Sequence, residues 1–150
     1  MTTTAVSPKH SKNLHIDTKV AELVLTKFLE NEITKAGFHK AVLGLSGGID
    51  SALSCYLVTK ALGPENVLAL RLPHKVSSAD SLAHADLVIE ALGIRSETVE
   101  ITGMVEALAE ASPDMNAHRK GNVMARARMT IIFDRSLREN ALVIGTSNKT

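Results

Sequence analysis

The chain has no tryptophan, one tyrosine and three phenylalanines, so aromatic residues make up only 3% of its 150 positions. Proteins that hold single-stranded nucleic acid stack bases on aromatic rings, and material for that platform is scarce here. An excess of charge of one sign is missing too, since 17 basic against 16 acidic side chains leave a formal net charge of +1. That excludes a nucleic-acid wrapper whose affinity comes from a large positive field. Cys55 is the only cysteine and cannot form an internal disulfide. The start, Met1-Thr2-Thr3-Thr4-Ala5, lacks the basic-then-apolar order of a secretory signal. Together these features predict a protein of the reducing cytoplasm. The apolar runs are only a few residues long, too short to span a bilayer. Neither nucleic acid nor membrane is therefore expected as a partner.

What is present is ordinary globular composition, 45% hydrophobic and 22% charged, in a length that suits one domain with a buried core. Residues 1–13 are rich in Thr, Ser and Lys and read as a flexible tail. Residues 14–150 read as a single domain. From Asp17, a candidate N-cap, the positions Val20, Leu23, Val24, Phe28 and Ile33 follow helical spacing up to a stop at Gly37. Ala41-Val42-Leu43-Gly44-Leu45 is a continuous apolar run, as a strand buried on both faces requires. A helix from about Ser51 to Gly63, a strand over 67–72, and a helix capped by Ser77 or Ser78 and ending at Gly93 follow. The alternation of residues 97–101 predicts a third strand nearer an edge. A short helix to Ala111, a long helix over 117–140 and a strand over 141–144 complete the order. Strands alternating with helices specify an α/β fold, a parallel β-sheet with helices on both faces. Ligands of such sheets sit at the strand carboxyl ends, where strand order reverses.

One such end carries Gly44-Leu45-Ser46-Gly47-Gly48-Ile49-Asp50-Ser51. Two glycines permit turns closed to other residues and let a bulky anion approach the main chain. The following helix points its N–H groups and positive dipole end at that anion, and Ser46 and Ser51 add hydroxyls. Asp50 beside phosphates is repulsive unless a cation lies between, which assigns it to Mg²⁺. The lysine and the glycine spacing of the loop that binds an intact triphosphate are missing.

Residues 46–51 resemble the signature of the N-type ATP pyrophosphatase family, which has a Rossmann-like adenine nucleotide alpha hydrolase fold. Its members join AMP to a carbonyl oxygen, release pyrophosphate and let a nucleophile displace AMP. Gly121-Asn122-Val123-Met124-Ala125-Arg126-Ala127-Arg128-Met129 resembles the Gly-Asn-x-x-Ala-Arg-x-Arg-Met signature of one branch, the NAD synthetases. Gly145-Thr146-Ser147-Asn148-Lys149-Thr150 and Arg71-Leu72-Pro73 resemble strand ends of the same branch. The resemblance implies an ammonia-dependent ligase that amidates deamido-NAD to NAD, with ATP as co-substrate and Mg²⁺ as cofactor. It implies ATP contacts from residues 44–51, Arg71 and Thr146, deamido-NAD contacts from Arg126 and Asn122, a metal ligand in Asp50, and a homodimer. A further acidic Mg²⁺ ligand and phosphate-binding lysines are expected beyond Thr150, and the chain reads as an amino-terminal fragment. The loop begins at residue 46, which predicts free ammonia rather than an attached glutamine-hydrolysing domain as nitrogen donor.

Other polar residues read more plainly. Arg119 and Arg128 fit a solvated basic face, Lys75 an exposed loop, and the six histidines surface positions without metal spacing. Met124, Met129 and Cys55 fit packing, and Ser46 has no evident base to make it a nucleophile. Competing readings are a GMP synthetase core, a tRNA thiolase, or a module that binds ATP without turnover. The lone Cys55 weighs against the thiolase, the 121–129 pattern against GMP synthetase, and Asp50 against the passive module.

Overall fold

Period-two side-chain alternation distributes the apolar runs to both faces of one parallel sheet. The computed structural model describes residues 16–146; the expected tail 1–13 and positions 147–150 of the last strand-end segment lie outside the described residues. Helix α1 (Thr18–Lys35) is capped by Asp17, whose carboxylate accepts from the N–H groups of Lys19 and Val20 at 3.0 and 3.1 Å. Strand β1 (Ala41–Gly44) leads into α2 (Ile49–Leu62), then a single 3₁₀ turn, β2 (Val67–Arg71) and α3 (Ala79–Leu92). Strand β3 (Arg95–Thr98), α4 (Thr102–Glu110), α5 (Ala117–Glu139) and β4 (Leu142–Val143) follow. Ser78 caps α3, accepting from the Ser81 N–H, and Asn116 caps α5 in the same way.

The strand order is β3-β2-β1-β4, all parallel. Ala41 pairs with Val67 on one side and Leu142 on the other. The chain steps outward from β1 to β3 and then returns to the opposite side of β1, so strand order reverses between β1 and β4. On one face Ala41, Leu43 and Leu45 pack with Val67 and Ala69 against α1, α2 and α3, including Ile33, Cys55, Val58 and Ala85. On the other, Val42, Leu68, Leu70 and Leu72 pack against Val105 of α4 and Ala127 and Ile131 of α5. Leu43 is fully buried, a placement that contributes about 1.5–3 kcal/mol for one such side chain. Burial of Cys55 pushes its thiol up to about 11, consistent with packing rather than chemistry.

Several expectations are corrected. The third strand lies two to three residues earlier than the alternation of 97–101 indicates, although it is at the edge as expected. Its residues are mostly exposed and polar, while Val99 and Ile101 continue beyond it, donating N–H bonds to the Arg71 and Pro73 carbonyls at 3.0 and 2.9 Å. The helical spacing expected of α1 is borne out, and of its apolar positions Ile33 is buried while Val20, Leu23, Val24 and Phe28 are 56–71% exposed. Met129 is half exposed, not core. Among the described residues no helix is long and apolar enough to cross a membrane.

Candidate nucleotide site at the sheet switch point

A cavity of about 370 Å³ opens at the carboxyl ends of β1, β2 and β4. Its floor is Gly44, Leu45 and Ser46, its walls are Leu72, Pro73, Ser77, Ser78 and Ser81 on one side and Arg128, Ile132 and Thr146 on the other. A second cavity of about 340 Å³ shares Gly44, Arg128, Ile132 and Thr146 and extends along α5 towards Met129 and Phe133. Three strand-end loops therefore meet at one edge of the sheet through Gly44, Pro73 and Thr146.

The glycine loop is held by its two serines. The Ser51 hydroxyl donates to the Gly48 carbonyl at 2.9 Å and accepts the Ser46 N–H at 3.2 Å. With its one proton so used, Ser51 accepts from the Ser46 hydroxyl, 3.0 Å away. The Ser46 hydroxyl also takes the Gly48 N–H at 3.3 Å. Ser51 is 97% buried by this arrangement (3% exposed), so its hydroxyl shapes the loop, whereas Ser46 is exposed towards the cavity. Gly47 takes φ +81°, and a Cβ there would lie 2.1 Å from the Ser81 carbonyl oxygen at the start of α3. No side chain caps α2 at Gly48, so the helix N-terminus meets the loop without the internal ligand that most helices carry. Asp50 is exposed in the first turn of α2. One carboxylate at that place suits Mg²⁺, which takes one or two carboxylates and completes its shell with phosphate oxygens and water.

The remaining expected residues are distributed more widely. Arg71 stands at the end of β2, half-buried and bonded through Nη1 to Asp86 of α3, with its Nε buried and unpartnered; it does not line the cavity. Asn122 and Arg126 lie exposed on α5, outside both cavities, and among the described residues the Arg126 side chain reaches the Met129 sulfur at 4.0 Å. Arg128 corrects the solvated-face reading. It lines both cavities, donates from Nε to the Leu72 carbonyl at 3.0 Å, and burial lowers its pKa from the ordinary arginine value while leaving it a cation. The signal available for it was its phase, one residue after Ala127 and three before Ile131, the buried positions of α5. Arg119 pairs with Asp114 at 2.8 Å, and Lys75 is exposed with a bond to Glu106 at 3.1 Å. His39, His84 and His118 are exposed as expected, but His74 is buried. Among the described residues no group of three His, Cys, Asp or Glu side chains is gathered as a metal site.

A parallel sheet with a glycine loop and a cavity at its switch point defines an adenine nucleotide alpha hydrolase-like α/β domain. Within that class the chain belongs to the NAD synthase family, whose profile matches residues 22–150. It is 53% identical over 139 residues to an NH(3)-dependent NAD(+) synthetase of Chlorobaculum parvum, covering 93% of this chain and 50% of that protein. A Fusobacterium nucleatum relative of the same name is 56% identical over 137 residues, covering 91% and 53%. An NH3-dependent NAD synthetase structure from Campylobacter jejuni superposes with a TM-score of 0.85 at 36% identity, covering 90% of this chain and 58% of that one. An NMN synthetase structure from Francisella tularensis gives 0.83 at 31% identity, with 89% and 56% covered. The chain thus spans about half the length of the curated relatives it matches.

Proposed function

We propose that this chain forms the ATP-activating half of an ammonia-dependent ligase that converts deamido-NAD to NAD. The observation that carries the reading is the glycine loop: Gly44, Leu45 and Ser46 line a cavity at the sheet switch point, and the loop leads into a helix whose N-terminus no side chain caps and whose first turn holds Asp50. ATP lies with its phosphate chain on residues 46–51 and its adenosine in the cavity, where Gly44, Leu45 and Thr146 contact it and Arg71 flanks it from the end of β2. A carboxylate oxygen of the nicotinate attacks the α-phosphorus, and the bond to the bridging oxygen breaks as pyrophosphate leaves. Ammonia then adds to the acyl carbon, AMP departs with the C–O electron pair, and loss of a proton leaves the amide. Asp50 would hold the Mg²⁺ of this reading, which when bound would supply charge neutralisation at the leaving pyrophosphate. The chain's own contribution is alignment of the reactants and the loop's N–H dipoles.

Arg128 extends this site beyond the expected residues. Its Nε is committed to Leu72, and this reading assigns its terminal nitrogens as donors to anionic ligand in the cavities it lines. Loss of a hydrogen bond to a charged group costs about 1.5–3 kcal/mol, so Arg128→Ala is expected to weaken ATP binding about ten- to hundredfold, measured by titration calorimetry. An unchanged ATP affinity would remove Arg128 from the site.

Arg126 and Asn122 lie exposed outside both cavities, and the reading places them at a dinucleotide site completed by a second copy of the chain. The exposed Leu23, Val24 and Phe28 of α1 and Phe133 and Leu137 of α5 support a homodimer. A cytoplasmic protein without membrane or nucleic-acid partners accords with the composition. The test is product analysis of one reaction containing deamido-NAD, ATP, Mg²⁺ and ammonium, with the deamidated mononucleotide as rival acceptor. Equal amounts of NAD, AMP and pyrophosphate are expected. ADP in place of AMP would overturn the reading, and preference for the mononucleotide would reassign the substrate.

A further inference from the structure

Pro73 and Ser77 of the cavity wall bracket a histidine that is not part of the cavity lining. The His74 side chain is fully buried, and no part of the activity described above uses it. Both ring nitrogens are engaged. Nδ1 accepts the Val76 N–H at 3.3 Å, and Nε2 lies 3.2 Å from a carboxylate oxygen of Glu106 on α4. An Nδ1 that accepts a backbone N–H carries no proton, so the neutral ring has its proton on Nε2 and donates it to Glu106. Two further groups meet that carboxylate, Lys75 of the loop at 3.1 Å and Lys120 of α5 at 2.9 Å. Hydrogen bonds from Lys120 and then Lys75 hold Glu106 down to about 2, so it accepts as a carboxylate at neutral pH.

The same short loop is closed on itself around the ring. The His74 N–H donates to the Ser77 hydroxyl at 3.0 Å and the Ser77 N–H to the His74 carbonyl at 2.7 Å. The Lys75 N–H donates to Thr102 Oγ1 at 2.9 Å, a second tie to the start of α4. Pro73, Ser77 and Ser78 line the cavity, and Ser78 caps α3, whose Ser81 carbonyl abuts Gly47. A displacement of His74 is therefore passed to the cavity wall and to the glycine loop through backbone contacts.

We propose that His74 is a positioning residue for the nucleotide: its Nε2–H bond to Glu106 anchors the 73–78 loop to α4 and so sets the wall against which ATP binds. The inference rests on the nucleotide reading of the cavity and adds to it a residue outside the cavity lining. Its direction of effect is specific. ATP affinity depends on the tie to Glu106, whereas deamido-NAD affinity, centred on α5, does not.

Three variants separate the two bonds of the ring. His74→Gln places an amide nitrogen where Nε2 stood and keeps the donor to Glu106. His74→Asn keeps an acceptor for Val76 and cannot reach Glu106. Glu106→Ala removes the anchor from a partly exposed position on α4 and reads the same tie should the asparagine variant fail to fold. Equilibrium dialysis of each purified variant with ATP, and separately with deamido-NAD, is the measurement. ATP binding is expected to weaken about tenfold in His74→Asn and in Glu106→Ala, by no more than about threefold in His74→Gln, and no further in the asparagine–alanine double variant. Deamido-NAD binding is expected to stay within about twofold throughout. Unchanged ATP affinity in His74→Asn and Glu106→Ala, or equal loss for both ligands in every variant, overturns the inference. Because dialysis needs no turnover, a parent protein that binds ATP but makes no NAD would count against the proposed reaction and leave the role of His74 standing.

Discussion

Gly47→Ala is expected to abolish detectable ATP binding while leaving the fold in place. Two effects act at that position. At φ +81° an L-residue is strained, by about 1–3 kcal/mol. The added methyl would also lie 2.1 Å from the Ser81 carbonyl oxygen and 2.9 Å from its carbon, both backbone atoms that no rotamer change can move. The loop must lift off α3, and the Ser46–Ser51 bonds that shape the glycine turn go with it. Strain alone predicts a fall in melting temperature of a few degrees for a chain of this size. Gly37 separates the two causes, because it has φ +82° and nothing within 4 Å of an added Cβ. Gly37→Ala is expected to lose similar stability and to bind ATP as the parent does. Calorimetric titration with ATP, alongside thermal unfolding of both variants, is the check. A Gly47→Ala protein with parental ATP affinity would mean that the loop does not hold the nucleotide.

The sheet was legible because its strands are buried on both faces. Residues 41–43 and 67–70 read as unbroken apolar runs, and each run sends alternate residues to the two cores. The glycine loop was legible because its requirements are local: a strand, a turn, a positive φ and a helix start. The third strand was misplaced for the opposite reason. Arg95, Ser96 and Thr98 pair through the backbone at an exposed edge and leave no apolar trace, whereas Val99 and Ile101 beyond it pack into the second core. Helix α5 shows a second limit. Arg126 and Arg128 are two positions apart and so face different sides of the helix, and the motif alone cannot say which side meets the sheet. Ala127 and Ile131 settle that phase, turning Arg128 to the cavity and Arg126 to solvent. His74 shows a third, because nothing adjacent to it in sequence foretells Glu106 or the burial that α4 provides. The apolar positions of α1 were read correctly as helical, but periodicity does not reveal what covers them.

Asp50→Asn is expected to separate ATP binding from ATP splitting. The substitution keeps the shape and removes one negative charge from the first turn of α2, next to the glycine loop. Two roles for that charge predict different losses. An acidic side chain in the first turn of a helix stabilises the helix dipole by about 0.3–1 kcal/mol, which would appear only as a small fall in melting temperature. A carboxylate that holds Mg²⁺ against the departing pyrophosphate contributes several kcal/mol at the transition state, equivalent to at least about a hundredfold in rate. The amide is a poor ligand for a hard cation, yet it no longer repels the phosphates, so ATP affinity without metal is expected to hold or rise slightly. The expected result is ATP binding within about threefold of the parent, pyrophosphate release reduced at least about a hundredfold, and a Mg²⁺ requirement shifted to higher concentration. Coupled detection of pyrophosphate across a Mg²⁺ series measures all but the first, and calorimetry supplies that. Undiminished pyrophosphate release with an unchanged Mg²⁺ dependence would reduce Asp50 to its helix-dipole role and take the metal away from this loop.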